Sequence, residues 1–250
     1  MTHACSLIRP LPHYRHEAFE AGLEAAGCSV SRQPKPGPGA LLLIWNRYGV
    51  NDDLATQYEK AGGQVLVAEN GYFARHGEAP TEYAISKGQH HHGGALVPEI
   101  SPIKGLKPWR KEGDHILICA QRGFWSKVMG CDGWADRITT ELRQRTKRPI
   151  RLRAHPGNHA PKVPLIEDLA DCHAVVLWSS NSGIEALMQG VPVFYGAPRW
   201  IAEKAALPLA AADLEQPFMG DRTAGLSHAA ANQYSVDEIA SGEPFRRLLA

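Results

Sequence analysis

No apolar run in this chain approaches the ~20 residues that a membrane-spanning helix needs, so no span is expected. Residues 1–9 lack the long apolar core of a secretory leader, which points to a cytoplasmic protein. The cysteines (Cys5, Cys28, Cys119, Cys131 and Cys172) are odd in number, scattered, and form no CxxC pair. That argues against a disulfide frame and a zinc-ribbon spacing, and fits reduced thiols. Charge of one sign is also missing: the formal net charge is +1. Bulk electrostatics therefore announce neither a nucleic-acid nor a membrane partner, although a local patch can still exist. No repeat recurs at a fixed period, which excludes solenoids and propellers.

What is present is an ordinary globular composition, 44% hydrophobic and 21% charged over 250 residues. That length carries one large domain or two small ones with a real core. The most informative stretch is 150–196. It holds three short apolar runs, at 150–152, 174–178 and 191–195, rich in Val and Ile and bounded by Gly, Pro and Ser. Such runs read as strands buried on both faces. Between the second and third lie a polar turn, an apolar-faced helix and Gly190 in the place of a C-terminal cap. Strand, turn and helix make half of a βαβ unit with a right-handed crossover.

The first third repeats the pattern. Strands are expected at 4–8, 29–31, 40–45 and 64–68, with helices at 16–26 and 52–61. Regular alternation implies a parallel sheet. Residues 97–113 are Pro- and Lys-rich with no apolar period, and read as a linker. A strand at 115–120 and a helix at 135–146 open the second half, and short helices at 236–241 and 245–249 form a tail.

The chemistry follows from this order. A helix starting after a strand offers free N–H groups and a positive dipole end to an anion. Ser179, Ser180 and Ser182 add hydroxyls at such a start, and His155-Pro156 follows the preceding strand. In open α/β sheets the carboxyl edge is where ligands bind. One reading is a phosphate and nucleotide site between these two turns. The other is that the serines cap a helix and His155-Pro156 makes a turn. Glu69 follows the strand at 64–68, at the same kind of edge. A carboxylate there is placed to take a proton from a substrate hydroxyl as a general base. Otherwise Glu69 and Asn70 form an Asx-type turn before Gly71. Arg122 follows the strand at 115–120 and so brings a cation to the same kind of edge. Three adjacent histidines, His90-His91-His92, cannot converge on one point, and a second cluster for a metal is missing. His91 and His92 read instead as acceptor or phosphate contacts, or as an exposed loop.

These residues carry a resemblance. Arg153-Ala154-His155-Pro156 resembles the HP motif, and Ser179-Ser180 the SS motif, of bacterial sialyltransferases and capsule-type Kdo transferases. The run E-A-L-x-x-G-x-P-V from Glu185 to Val193 is similar to the donor-domain helix of many GT-B proteins. Glu69-Asn70-Gly71 stands where those families have acidic-acidic-Gly. The resemblance implies a compact GT-B-like α/β fold of two Rossmann-like lobes with parallel sheets and a cleft between them. Residues 1–105 would form the acceptor-side lobe, and 106–250 the nucleotide-sugar lobe with its helical tail. It implies a metal-independent glycosyltransferase with a nucleotide-sugar as substrate, CMP-sugar favoured, and no further cofactor. Donor contacts would be Arg122, Arg153, His155, Pro156, Ser179, Ser180, Ser182 and Glu185, with Glu69 and His155 catalytic. Acceptor-side residues would be Asn46, Arg47, Asn70, Gly71, His91 and His92. The acceptor is a glycan hydroxyl by default, with modified DNA as the alternative. Asn70 replaces one of the family's acids, which keeps a non-catalytic nucleotide-binding module in view. A sugar-nucleotide 2-epimerase is disfavoured, because Ala186 replaces its second acid and the double glycine is missing.

Overall fold

The computed structural model describes residues 1–73, 81–90, 101–121, 126–127, 129–156 and 163–250. The chain divides into two compact units, Met1–Glu99 with Ala231–Ala250, and Ile100–Ala230. The expected boundary after residue 105 lies instead after Glu99. The tail expected in the second lobe belongs to the first unit.

In chain order the first unit contributes β1 (Thr2–Ser6), α1 (His16–Ala25), β2 (Cys28–Ser31), β3 (Leu41–Ile44), α2 (Val50–Lys60), β4 (Gln64–Asn70) and β5 (Glu82–Lys87). The second contributes β6 (His115–Cys119), α3 (Trp134–Arg145), β7 (Ile150–Arg153), α4 (Leu165–Asp168), β8 (Cys172–Leu177), α5 (Ser182–Met188), β9 (Val193–Tyr195), β10 (Leu207–Pro208) and α6 (Thr223–Ala231). The chain then returns to the first unit with β11 (Gln233–Ser235), α7 (Val236–Ala240) and α8 (Glu243–Leu249).

The first sheet runs β11-β5-β4-β3-β1-β2. Strands β1 to β4 pair in parallel, as alternation predicts, but β5 and β11 are added antiparallel at one edge. Alternating side chains feed two cores. Leu41, Leu43, Leu66 and Ala68 pack with Phe19, Ile239 and Phe245 on one face, while Leu42, Ile44, Val65 and Val67 pack with Ala55 and Tyr58 on the other. The returning tail seats closely because of Gly22: a Cβ there would stand 1.9 Å from the Ile239 carbonyl oxygen. Helix α7 starts on a capping box, in which Ser235 Oγ accepts from the Glu238 N–H and Glu238 accepts from the Ser235 N–H.

The second sheet runs β10-β9-β8-β6-β7 and is parallel throughout. Ile116, Ile118, Ala174, Val176 and Phe194 pack against Ile138 and Leu142 of α3. Strand β7 departs from the expectation of burial on both faces. It lies at the sheet's edge, and Leu152 is 49% exposed.

The segment read as a linker is bonded into the second unit from residue 101 onward. The Lys107 N–H donates to the Met188 carbonyl at 3.0 Å and the Arg110 N–H to the Gly190 carbonyl at 2.8 Å. Gly190 itself closes α5 as anticipated, with φ 78° and the Val191 N–H reaching back to the Ala186 carbonyl. Burial pushes the Cys119 thiol up to about 11 and the Cys172 thiol up to about 12, and all five cysteines are buried and free.

Candidate functional site

In the second sheet the chain leaves β6, crosses to β7 on one side, and then returns to β8 on the other. The strand order therefore reverses between β6 and β8, and their carboxyl ends flank a crevice suited to a ligand. Gln121 follows β6, and Ser179 and Ser180 follow β8. Gln121 Nε2 donates to Ser179 Oγ at 3.1 Å, so the two turns are latched together. Ser179 is 2% exposed, and its hydroxyl works within this latch. Ser180 Oγ accepts from the Ser182 N–H at 3.2 Å and lies 2.9 Å from Ser182 Oγ. It thus organises the first turn of α5, whose N-cap position is Asn181. Glu185 lies on the exposed side of that helix.

His155 and Pro156 follow β7 and are half-buried. They do not adjoin the serines directly, because β6 lies between β7 and β8. Two strand spacings put the turns roughly 10 Å apart, with Gln121 between them. Arg153 is committed elsewhere: its guanidinium pairs with Asp168 and donates to the Val163 carbonyl at 2.9 Å. Beside these turns is a depression of about 230 Å³ lined by Ala120, Gln121, Trp134, Asp136, Leu152 and Ala154. Trp134 meets Trp178 edge-on with centroids 5.7 Å apart. Gly196 makes room for both, since a Cβ there would lie 2.9 Å from one ring and 3.0 Å from the other.

In the first sheet the carboxyl ends of β3 and β4 carry the residues singled out on the acceptor side. Strand β4 is longer than expected, so Glu69 and Asn70 belong to the ladder, opposite Ala84 and Tyr83. Neighbours in a strand face opposite ways, so Glu69 and Asn70 present their side chains to different faces. Glu69 Oε1 lies 3.1 Å from His90 Nδ1. His90 is 1% exposed, and its Nε2 accepts from the Arg47 N–H at 3.3 Å. Burial pulls the His90 imidazole down, but the Glu69 carboxylate and its hydrogen bond lift it further, and the net direction is up.

The Arg47 guanidinium is engaged inside the unit. It bonds both carboxylate oxygens of Glu59 at 2.5 and 2.7 Å, Asp52 at 2.8 Å and the Gly88 carbonyl at 2.5 Å. Those partners, Glu59 foremost, raise its already high pKa against the opposing effect of burial. Asn46 accepts from Asn51 Nδ2 through its carbonyl at 3.1 Å. The turn after β4 is held by the returning tail. Gln233 Oε1 accepts from the Tyr72 and Phe73 N–H groups at 2.9 and 3.2 Å, while its Nε2 donates to Glu82. Gly71 is required there, because a Cβ would lie 2.9 Å from the Glu82 carbonyl oxygen.

His90, Gln121 and Gln233 are the residues that sequence reasoning passed over. Trp45 joins them, at the end of β3, packed edge-on against Tyr14 at 4.6 Å and Tyr83 at 5.9 Å. Arg122, His91 and His92 lie outside the described residues. Among the described residues, no group of three His, Cys, Asp or Glu side chains is placed to hold a metal ion. No helix among them is long and apolar enough to cross a membrane.

No family model matches the chain, and no curated protein does. Solved structures do. The beta Kdo 2,7 transferase of KpsC from Thermosulfurimonas dismutans is similar with a TM-score of 0.58 and 12% identity, over 97% of this chain and 98% of that one. The beta Kdo 2,4 transferase of the same KpsC is similar with a TM-score of 0.56 and 14% identity, over 96% and 98%. At these identities the likeness establishes the fold. It is a GT-B-like α/β fold with two parallel-dominated sheets, as the motifs imply.

Proposed function

We propose that this protein is a glycosyltransferase that moves a sugar from a nucleotide-sugar, a CMP-sugar in the favoured reading, to a hydroxyl of a glycan. The observation that supports it best is the convergence at one sheet edge. The HP and SS turns and Gln121 stand at and beside the strand-order reversal of the second sheet, in a chain that follows the fold of two Kdo transferases along nearly its full length.

In this reading the second unit binds the donor. His155 contacts the nucleotide or its phosphate. The Ser180 hydroxyl, fixed by Ser182, donates its own proton to a phosphate oxygen. Ser179 acts through Gln121, holding that amide at the crevice. Arg153, paired with Asp168, shapes the HP turn and leaves phosphate contact to others. In the first unit Glu69 takes the proton of the acceptor hydroxyl as its oxygen bonds to the sugar carbon. The bond from that carbon to the phosphate oxygen breaks, and CMP leaves with the bonding pair. Asn70 is the residue that departs from the family pattern. It faces away from Glu69, so its amide does not occupy the place of a carboxylate partner to His90.

The test is a thermal-shift titration of the purified chain with CMP, CDP, UMP, UDP and GDP. A ligand that binds only the native state at about 100 times its Kd adds about 2.7 kcal/mol of stability. A rise with CMP is the expected result. A rise with UDP alone moves the donor, and no rise with any nucleotide overturns the transferase reading.

A further inference from the structure

We propose that His90 is a positioning residue for the Glu69 carboxylate, its one neutral-state ring proton fixed toward Glu69 by a main-chain bond on the opposite nitrogen. The inference rests on the reading of Glu69 as the base and adds what keeps that base aimed.

A neutral imidazole carries one proton on two nitrogens. The Arg47 N–H points at Nε2 from 3.3 Å, and a donor can be met there only by the ring's lone pair. The proton must therefore sit on Nδ1, 3.1 Å from Glu69 Oε1. The ring is 1% exposed, so water does not compete for either nitrogen.

Both ends of this chain of bonds are held. Glu69 is fixed in the ladder between β4 and β5. The main chain at Arg47 is fixed by its own guanidinium, which spans Glu59 and Asp52 of α2 and the carbonyl of Gly88. Among the described residues, the charged groups around the ring are Glu69 from β4 and Arg47 from the turn after β3, with Asp52 and Glu59 offsetting the Arg47 charge.

With Nε2 accepting from the Arg47 N–H, the single proton of the neutral ring is left for Glu69 Oε1, and that bond holds the carboxylate in one orientation.

The experiment uses the full chain labelled with 15N at histidine, titrated upward in pH until the His90 ring signals stop moving, so that the neutral form is the one read. His90 is identified by the signals missing from His90→Asn. The expected result is a protonated Nδ1 and a bare Nε2. A ring protonated on Nε2 overturns the proposal. The second readout is CMP release from CMP-Kdo. His90→Asn keeps an N–H near the Nδ1 position and should stay within roughly threefold of the parent kcat, whereas His90→Leu should lose roughly 10- to 100-fold in kcat at unchanged KM. Equal losses in the two variants, or a loss confined to KM, overturn the positioning role. A parent chain that releases no CMP removes Glu69 as a base and this role with it, and the tautomer still reads out separately.

Discussion

Gln121 donates its side-chain amide to the Ser179 hydroxyl at 3.1 Å, and this bond spans the point where the second sheet reverses its strand order. Two turns that are 58 residues apart in sequence are thereby held at a fixed separation. A ligand bound at this edge meets a pre-set pair of turns, with less ordering left to do on binding.

Gln121→Ala is expected to weaken CMP binding by about 1 kcal/mol, roughly a fivefold rise in Kd, while the fold is kept. Calorimetric titration of parent and variant checks this. An unchanged Kd would leave the latch as a purely structural contact.

Glu69→Gln keeps the shape of the side chain and removes its charge. Turnover should fall roughly 100- to 10,000-fold, the range that general-base catalysis supplies, while CMP affinity stays at the parent value. Steady-state kinetics beside a CMP titration separate the two effects. Parent-level turnover would show that Glu69 is not the base.

The strands that frame both sites were legible in the sequence because they are continuous apolar runs: Leu41 to Ile44, Val65 to Ala68, Ile116 to Cys119 and Ala174 to Leu177. What escaped were elements whose pairing comes from elsewhere. Strand β5 shows only Tyr83, Ala84 and Ile85 between polar ends, and β11 is three residues long, so neighbouring strands decide their state. Helix α6 escaped because Gly225 interrupts its pattern; in the structure that glycine lies where a Cβ would meet Ala205 at 2.8 Å. His90 was hidden for a related reason. Which of three consecutive histidines faces Glu69 depends on where β5 ends and on the turn at Gly88, with φ 84°, and neither is written in the histidines. The Pro- and Lys-rich segment was misread as a linker because composition reports the lack of an apolar period, whereas its attachment runs through main-chain hydrogen bonds.

Gly190 shows how tightly that segment is attached. A Cβ at this position would stand 2.0 Å from the Pro108 carbonyl oxygen, and φ is already 78°. Gly190→Ala combines left-handed strain with a main-chain clash, and is expected to lose at least about 2 kcal/mol, or roughly 4–8 °C in Tm for a chain of this size. A melting curve at the parent value would mean that residues 107–110 are free to move away from α5.

Arg222 is 6% exposed, and its guanidinium lies 4.1 Å from the centroid of the Trp109 ring. Burial alone pushes its pKa down, and among the described residues no carboxylate pairs with it. An apolar side chain of similar length should serve as well there, because a buried charge without a counterion is expensive to desolvate. Arg222→Met is expected to melt at or above the parent temperature, with Arg222→Ala below both because it leaves a void. A marked fall in the Met variant would mean that an anion compensates the charge in solution.

The Glu69–His90 pair makes stability depend on pH in a stated direction. The ordinary value for His90 is 6.5; burial lowers it, the Glu69 charge and hydrogen bond raise it by more, and the Arg47 charge opposes them weakly. A folded pKa above the unfolded one means that the native state binds the proton more tightly. The resulting stability is fully present below the unfolded value and is lost as pH rises through the folded one. His90→Asn cannot take up this proton. The gap in Tm between parent and variant should therefore be widest near about pH 5 and narrow toward about pH 8. Glu69→Gln should reverse the sign. With the carboxylate gone, burial is the leading influence left, the folded pKa drops below the unfolded one, and that variant should lose stability relative to the parent as pH falls. Melting curves of the three chains across this range decide it, and parallel curves would show that His90 does not titrate against Glu69.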